Sequence, residues 1–298
     1  MTETRTARPV QTLTVDAPGA RITYDLHGDL AAATSGHPVL LLVGSPMAAE
    51  GFTTLASYVH DGPVVTYDPR GVGRSVRTDD ATESTPAQHA DDVARVVEAL
   101  GAGPVELFAS SGGAVNGLAL VATRPDLVRT LVAHEPPLAE YLPDREQVLA
   151  VNADIGATYR RSGTGPAMAK FIAFVTVQGP IPADYLDRPA PDPAAFGMSA
   201  QDDGSRDDPL LGQNIRTCVP FVPDLGALGR ASTRVVVAAG VESAREMTGR
   251  AAAGLAEALG TDVAVFPSHH GGFLGGGSGQ QGRPGPFAAR LREVLDGA

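Results

Sequence analysis

Residues Pro104–Gly117, reading Pro-Val-Glu-Leu-Phe-Ala-Ser-Ser-Gly-Gly-Ala-Val-Asn-Gly, hold a short apolar run that ends in a cluster of small residues. Val105–Ala109 has the length and composition of a buried strand. From Gly113 onward Val115, Leu118, Ala119 and Ala122 repeat on one helical face. A strand that turns so abruptly into a helix forces Ser111, between them, into a strained backbone conformation. Bulky residues two positions before or after would clash, which Ala109 and Gly113 avoid. The serine oxygen then stands at the helix N-terminus, where developing negative charge is favoured. The rest of the chain can be read as support for that serine.

Gln11–Asp16 and Ala20–Leu26 are short alternating runs separated by Ala17-Pro18-Gly19, the pattern of a hairpin at a sheet edge. Pro38–Val43 is apolar without alternation, as a strand covered on both faces must be, and Pro63–Tyr67 is a second such run. A helix is expected between them, over about Ala48–His60. Thr85-Pro86 supplies an N-cap and a first-turn proline for a helix to Leu100, with Val93, Val96, Val97 and Leu100 inward. Arg129–Ala133, Thr233–Ala239 and Asp262–Phe266 complete the strands, with helices over about Ala244–Leu259 and Phe287–Leu295. Alternation of buried strands and amphipathic helices predicts an α/β fold: a doubly wound, mostly parallel eight-stranded sheet with its ligand site at the carboxyl ends of the strands.

Between Leu138 and Ala231 the pattern changes. Gln147–Arg161 and Ala167–Gln178 read as helices, whereas Gly179–Asp208 is rich in Pro, Asp and Ala with weak periodicity. Residues 138–231 are therefore expected to form a helical cap inserted after the sixth strand, over a core made of 1–137 and 232–298. Met168, Phe171, Phe174, Tyr185, Phe196 and Met198 are candidates to face inward. Such stripes are more often plain packing, so none is assigned to a substrate.

Composition excludes several functions. A net charge of −11 with Lys170 as the only lysine argues against nucleic acid or an anionic membrane as partner, and a hydrophobic share of 43% over 298 residues is ample for a core. One cysteine, Cys218, rules out an internal disulfide or a cysteine-based zinc site and suits a reducing cytoplasm. The polar N-terminus, Met1-Thr-Glu-Thr-Arg-Thr-Ala-Arg, lacks a secretory core, and no run approaches the ~18 apolar residues of a membrane span. Gly71-Val-Gly73 lacks the third glycine of a dinucleotide site. No metal or cofactor is expected.

The strand ends are followed in order by Ser45, Asp68, Ser111, Glu135, Glu242 and His270, which sets a nucleophile, carboxylates and a histidine on one edge of one sheet. In Gly44-Ser45-Pro46, Asp68-Pro-Arg-Gly-Val-Gly-Arg-Ser75, Ala109-Ser-Ser-Gly-Gly113 and His270-Gly-Gly-Phe273 the chain resembles the α/β-hydrolase fold superfamily over nearly its whole length. Serine is a poor nucleophile without a base. Chain order and loop position make His270 that base, and the family pattern His-x-Gly-Phe selects it over His269. Gly112 N–H is one oxyanion donor by its place after the nucleophile. The resemblance makes Ser45 the other, although Val43 replaces the histidine that often precedes that loop's glycine in relatives.

Two glutamates compete for the acid. Many relatives carry it three residues after the glycine closing the seventh strand, but Gly240-Val-Glu-Ser243 puts Ser243 there and Glu242 one step early. A minority carry it after the sixth strand, which corresponds to Glu135 in His-Glu-Pro-Pro, where two prolines would fix its backbone. Glu135 is preferred and Glu242 is the alternative. Asp262 lies at the wrong end of its strand, and Asp68 and Arg70 are expected to tie down their own loop. The resemblance implies a serine hydrolase of small, hydrophobic or amphipathic esters, lactones or similar acyl compounds. The alternatives are a non-hydrolytic member (lyase, cyclase or C–C bond cleavage) and a silent ligand-binding member.

Overall fold

The computed structural model describes residues 9–276 and 281–297; the polar first eight residues and part of the glycine-rich loop before the last helix lie outside them. Strands β1 (Val10–Ala17) and β2 (Ala20–His27) form the expected antiparallel hairpin, turning at Gly19 with φ 73°. Next come β3 (Leu40–Val43), a single helical turn α1 (Thr53–Ala56), β4 (Val64–Tyr67), the two-residue β5 (Val76–Arg77) and α2 (Pro86–Leu100). β6 (Val105–Ser110), α3 (Gly112–Thr123) and β7 (Val128–His134) follow. After the insertion come β8 (Arg234–Gly240), a further helix, β9 (Ala264–Phe266) and the last helix. The order across the sheet is β1-β2-β4-β3-β6-β7-β8-β9, parallel from β4 onward.

The ninth strand, β5, was not legible: two residues pair with Ala20 and Arg21 of β2 and carry no periodicity of their own. The helix expected over Ala48–His60 is instead a 3₁₀ turn, Ala49–Phe52, leading into α1. Gly51 and the β-branched Thr53 and Thr54 are weak helix formers, which explains the short element. α2 has both halves of a capping box: Thr85 Oγ1 accepts from Gln88 N at 3.2 Å and Gln88 Oε1 from Thr85 N at 2.9 Å.

Alternation along the strands divides the core between the two faces of the sheet. Leu41, Val43, Leu107, Ala109, Leu131 and Ala133 pack under α2 and α3, whereas Leu40, Leu42, Phe108 and Val132 pack against α1 and the C-terminal helix. Within the insertion, α4 (Arg145–Ser162) leads directly into α5 (Thr164–Val175), a long stretch of 3₁₀ turns and one wide helical segment, Pro209–Asn214, carries the chain to α6 (Ile215–Cys218), and α7 (Leu225–Arg230) follows. α8 (Met247–Leu259) and α9 (Pro284–Leu295) close the chain. α8 begins three residues later than the expected Ala244, because the segment before it turns back on β8 through Ser243 N to Gly240 O.

The insertion has its own apolar cluster, including Val148, Ile155, Phe174 and Leu211, and Met247 and Ala251 of α8 key it to the core. Leu228 of α7 belongs to the core beneath it instead. Phe196 is exposed and Tyr185 half-buried, so the expected inward stripe is broken. No helix among the described residues is long and apolar enough to cross a membrane.

Candidate active site

Ser111 sits between β6 and α3 with φ 58° and ψ −128°, and its N–H donates to His134 O at 2.9 Å. The small residues after it are required by what surrounds them. A Cβ on Gly113 would run into the Val43 carbonyl oxygen, and one on Gly112 would lie 2.5 Å from the Ser45 carbonyl oxygen. Among the described residues the other positive-φ non-glycines are Glu135 (50°) and Ser268 (74°). All three follow carboxyl ends of sheet strands. Conformations of this kind cost about 1–3 kcal/mol each and cluster where the fold must aim side chains.

Glu135 is fully buried, and its carboxylate is saturated. Oε1 accepts from Gly240 N at 2.8 Å and from the Ser243 hydroxyl. Oε2 accepts from Thr248 Oγ1 at 2.7 Å and lies 2.6 Å from His270 Nδ1. Burial by itself would raise the Glu135 pKa. The bond and charge of His270, the charge of His134 and the Ser243 hydroxyl outweigh it and hold the group far below the usual carboxylate range. Burial likewise opposes charging of His270, but the Glu135 bond and charge prevail and raise its pKa. A carboxylate this close requires Nδ1 to carry the proton, which leaves the Nε2 lone pair of neutral His270 free to accept one.

Ser111 and His270 line one cavity of about 360 Å³. Its apolar wall includes Phe171, Phe174, Leu210, Ile215, Val219 and Met247, and its polar wall Asn152, Asn214, Thr248 and Glu246. No arginine or lysine lines it among the described residues. Phe171 and Phe174 therefore do face the site, from α5. Ser45 is 4% exposed, and its Oγ accepts from Asn214 Nδ2 at 2.7 Å.

Glu242, the alternative acid, is not brought to His270 among the described residues: its side chain is exposed, and its backbone N–H donates to Ser268 O. His269 is held by its own loop. Gly271 N donates to its Nδ1 at 3.0 Å, so Nε2 carries the proton and faces Gln281 O at 3.2 Å. Ser110 is buried against His134, and Asp262 is exposed ahead of β9. Asp68 binds its loop as expected, accepting from Ala49 N and Arg74 N at 2.8 and 2.9 Å. Arg70 fastens the same loop to α2 by a buried two-pronged bond to Asp92 at 2.7 and 2.6 Å.

Sequence reasoning missed Thr248, Asn214 and His134. Ser243 left a trace, since a serine stood where many relatives carry the acid, and its hydroxyl is now seen to bind Glu135. No group of three or more His, Cys, Asp or Glu able to hold a metal occurs among the described residues.

A family model described as the alpha/beta hydrolase fold matches residues 37–186. The chain is 34% identical over 134 residues to the uncharacterized hydrolase YraK of Bacillus subtilis, covering 45% of this chain and 47% of that protein. It is 36% identical over 111 residues to the putative carbamate hydrolase RutD of Caulobacter vibrioides, covering 37% and 40%. The matches thus span about half or less of these relatives' length. Among solved structures, a thermophilic esterase from Thermogutta terrifontis superposes with a TM-score of 0.64 at 18% identity, over 96% of this chain and 98% of that one. The enol-lactonase from Burkholderia xenovorans LB400 gives 0.62 at 17%, over 95% and 99%. With the family model covering half the chain and the fold matching end to end, this protein is a member of the alpha/beta hydrolase fold family.

Proposed function

We propose that the protein is a serine hydrolase of small, neutral, largely apolar esters, lactones or similar acyl compounds, acting through an acyl-enzyme on Ser111. The observation that carries this reading is one arrangement: a strained serine at a helix N-terminus shares a cavity with a histidine whose far nitrogen is bonded to a buried, ionised glutamate. His270 Nε2 takes the proton as Ser111 Oγ adds to the carbonyl carbon. The Glu135 carboxylate stabilises the imidazolium so formed, and the same proton is then given to the leaving group. Water repeats the sequence and frees the acid. The Gly112 and Ser45 backbone N–H groups stand where the oxyanion develops. The insertion closes the cavity as a cap, and residues 138–231 with Met247 of α8 select the substrate. Glu246 on the cavity wall repels a substrate that brings its own carboxylate, which fits the neutral class proposed.

A fluorophosphonate probe with mass mapping tests this directly. The expected result is a single adduct on Ser111, with turnover of neutral short-chain aryl esters well above that of carboxylate-bearing ones. No adduct sinks the acyl-enzyme. An adduct without turnover of any acyl ester points instead to a non-hydrolytic or ligand-binding member of the fold.

A further inference from the structure

We propose that the Ser45 hydroxyl is a third donor to the oxyanion, and that Asn214 of the insertion is the positioning residue that aims it; both statements rest on the serine-hydrolase reading above. Asn214 ends the wide helical segment Pro209–Asn214, is 5% exposed and lines the cavity with Ser111 and His270. Its Nδ2 donates to Ser45 Oγ at 2.7 Å across 169 positions of chain. It also crowds the residue after the nucleophile: a Cβ on Gly112 would lie 2.8 Å from Asn214 Nδ2. Loop, elbow and insertion therefore meet at Gly112, the residue after the nucleophile.

A hydroxyl has one proton and two lone pairs. Asn214 occupies a lone pair of Ser45 Oγ, and no acceptor for its proton is found among the described residues. That proton is left for a ligand, and the bond received from Asn214 polarises the hydroxyl as a donor. When Ser111 Oγ bonds to the carbonyl carbon, the C=O π electrons move onto the oxygen and the Ser111 proton passes to His270 Nε2. The Ser45 proton is shared with that oxygen and stays on Ser45, so no further proton moves. A bond that strengthens only as charge develops lowers the barrier without tightening the substrate complex.

Ser45→Ala keeps the backbone N–H and removes only the hydroxyl. It should lower kcat on a neutral aryl ester by about 10²–10³-fold and leave KM in place. It should also weaken a boronic-acid inhibitor, whose tetrahedral adduct puts a charged oxygen in the same spot, in proportion to kcat. Ser45→Thr, which restores the hydroxyl, should restore turnover. Asn214→Ala should cost less than Ser45→Ala and nothing further in the Ser45→Ala background. Equal kcat for folded Ser45→Ala and wild type, both labelled by the fluorophosphonate, overturns the third donor and leaves the hydrolase reading standing. An unlabelled wild type overturns both. A full further loss from Asn214→Ala in the Ser45→Ala background means that Asn214 meets the substrate itself and overturns the positioning role.

Discussion

Among the described residues, the consecutive serines Ser110 and Ser111 each stand with a histidine about one glutamate. Ser111 and His270 face the cavity; Ser110 and His134 lie one layer beneath, with Ser110 Oγ 3.1 Å from His134 Nδ1 and His134 Nε2 3.9 Å from Glu135 Oε1. The two imidazoles stack with centroids 6.1 Å apart. Their chemistry diverges because of surroundings. His134 is fully buried and ringed by Phe108, Phe266, Phe273 and Phe287, and burial pushes its pKa down to about 4 despite Glu135. His270 keeps about a third of its side chain open and has its pKa raised. Residue type and acid are the same in both pairs. What separates them is a ring nitrogen facing space large enough for a substrate, and the proposed role of His270 as base rests on that difference.

The sharpest way to break this contrast is to remove each serine in turn. Ser111→Ala should reduce kcat by about 10⁶-fold, whereas Ser110→Ala should leave turnover nearly intact and cost about 1 kcal/mol of stability, read by ester assay and urea unfolding. Comparable activity losses in the two variants would erase the distinction.

Next in size is the shared acid. Glu135→Gln should cost about 10³–10⁴-fold in kcat, while Glu242→Gln should change it little. A large loss at Glu242 would reinstate the alternative that the geometry disfavours.

The pH profile separates the two histidines. The raised His270 pKa means that the neutral, proton-accepting form appears only above the ordinary histidine range, so the acid limb of kcat/KM should lie above 6.5. Glu135→Gln should move that limb down, and His134→Phe should leave it in place.

The smallest effect is on stability. His134 binds its proton in the unfolded chain near 6.5 but in the folded chain only near 4, so the unfolded state holds more protons between those values. The His134 contribution to stability is therefore full above 6.5 and falls by about 3 kcal/mol as pH drops to 4. His89, pushed down to about 3 by burial and by Arg70 and Arg77, contributes in the same direction. His134→Phe should roughly halve the slope of unfolding free energy against pH in that window. An unchanged slope would mean that His134 is not the buried neutral group described here.

The sheet, the elbow and the ordered strand ends were legible because each rests on local pattern: apolar runs, small residues about Ser111, and the capping pair Thr85 and Gln88. The short β5 was invisible, since two residues carry no periodicity. The helix read over Ala48–His60 failed because apolar content outweighed the poor propensities of Gly51, Thr53 and Thr54. Thr248 and Asn214 gave no signal. Neither type nor spacing marks a hydroxyl on α8 or an amide on the insertion as a neighbour of Glu135 or Ser45, because the contacts span 113 and 169 positions.

The sequence by itself determined the fold and the strained serine through nearest-neighbour sterics and side-chain periodicity, and its resemblance to the α/β-hydrolase superfamily supplied the preference for His270 over His269 and the two candidate glutamates. Only the tertiary structure decided which glutamate reaches His270. Glu135 is aimed by a left-handed backbone and saturated by donors from β8 and α8, while Glu242 points to solvent. Reach, burial and lone-pair direction are set by packing between distant segments, and no local pattern encodes them.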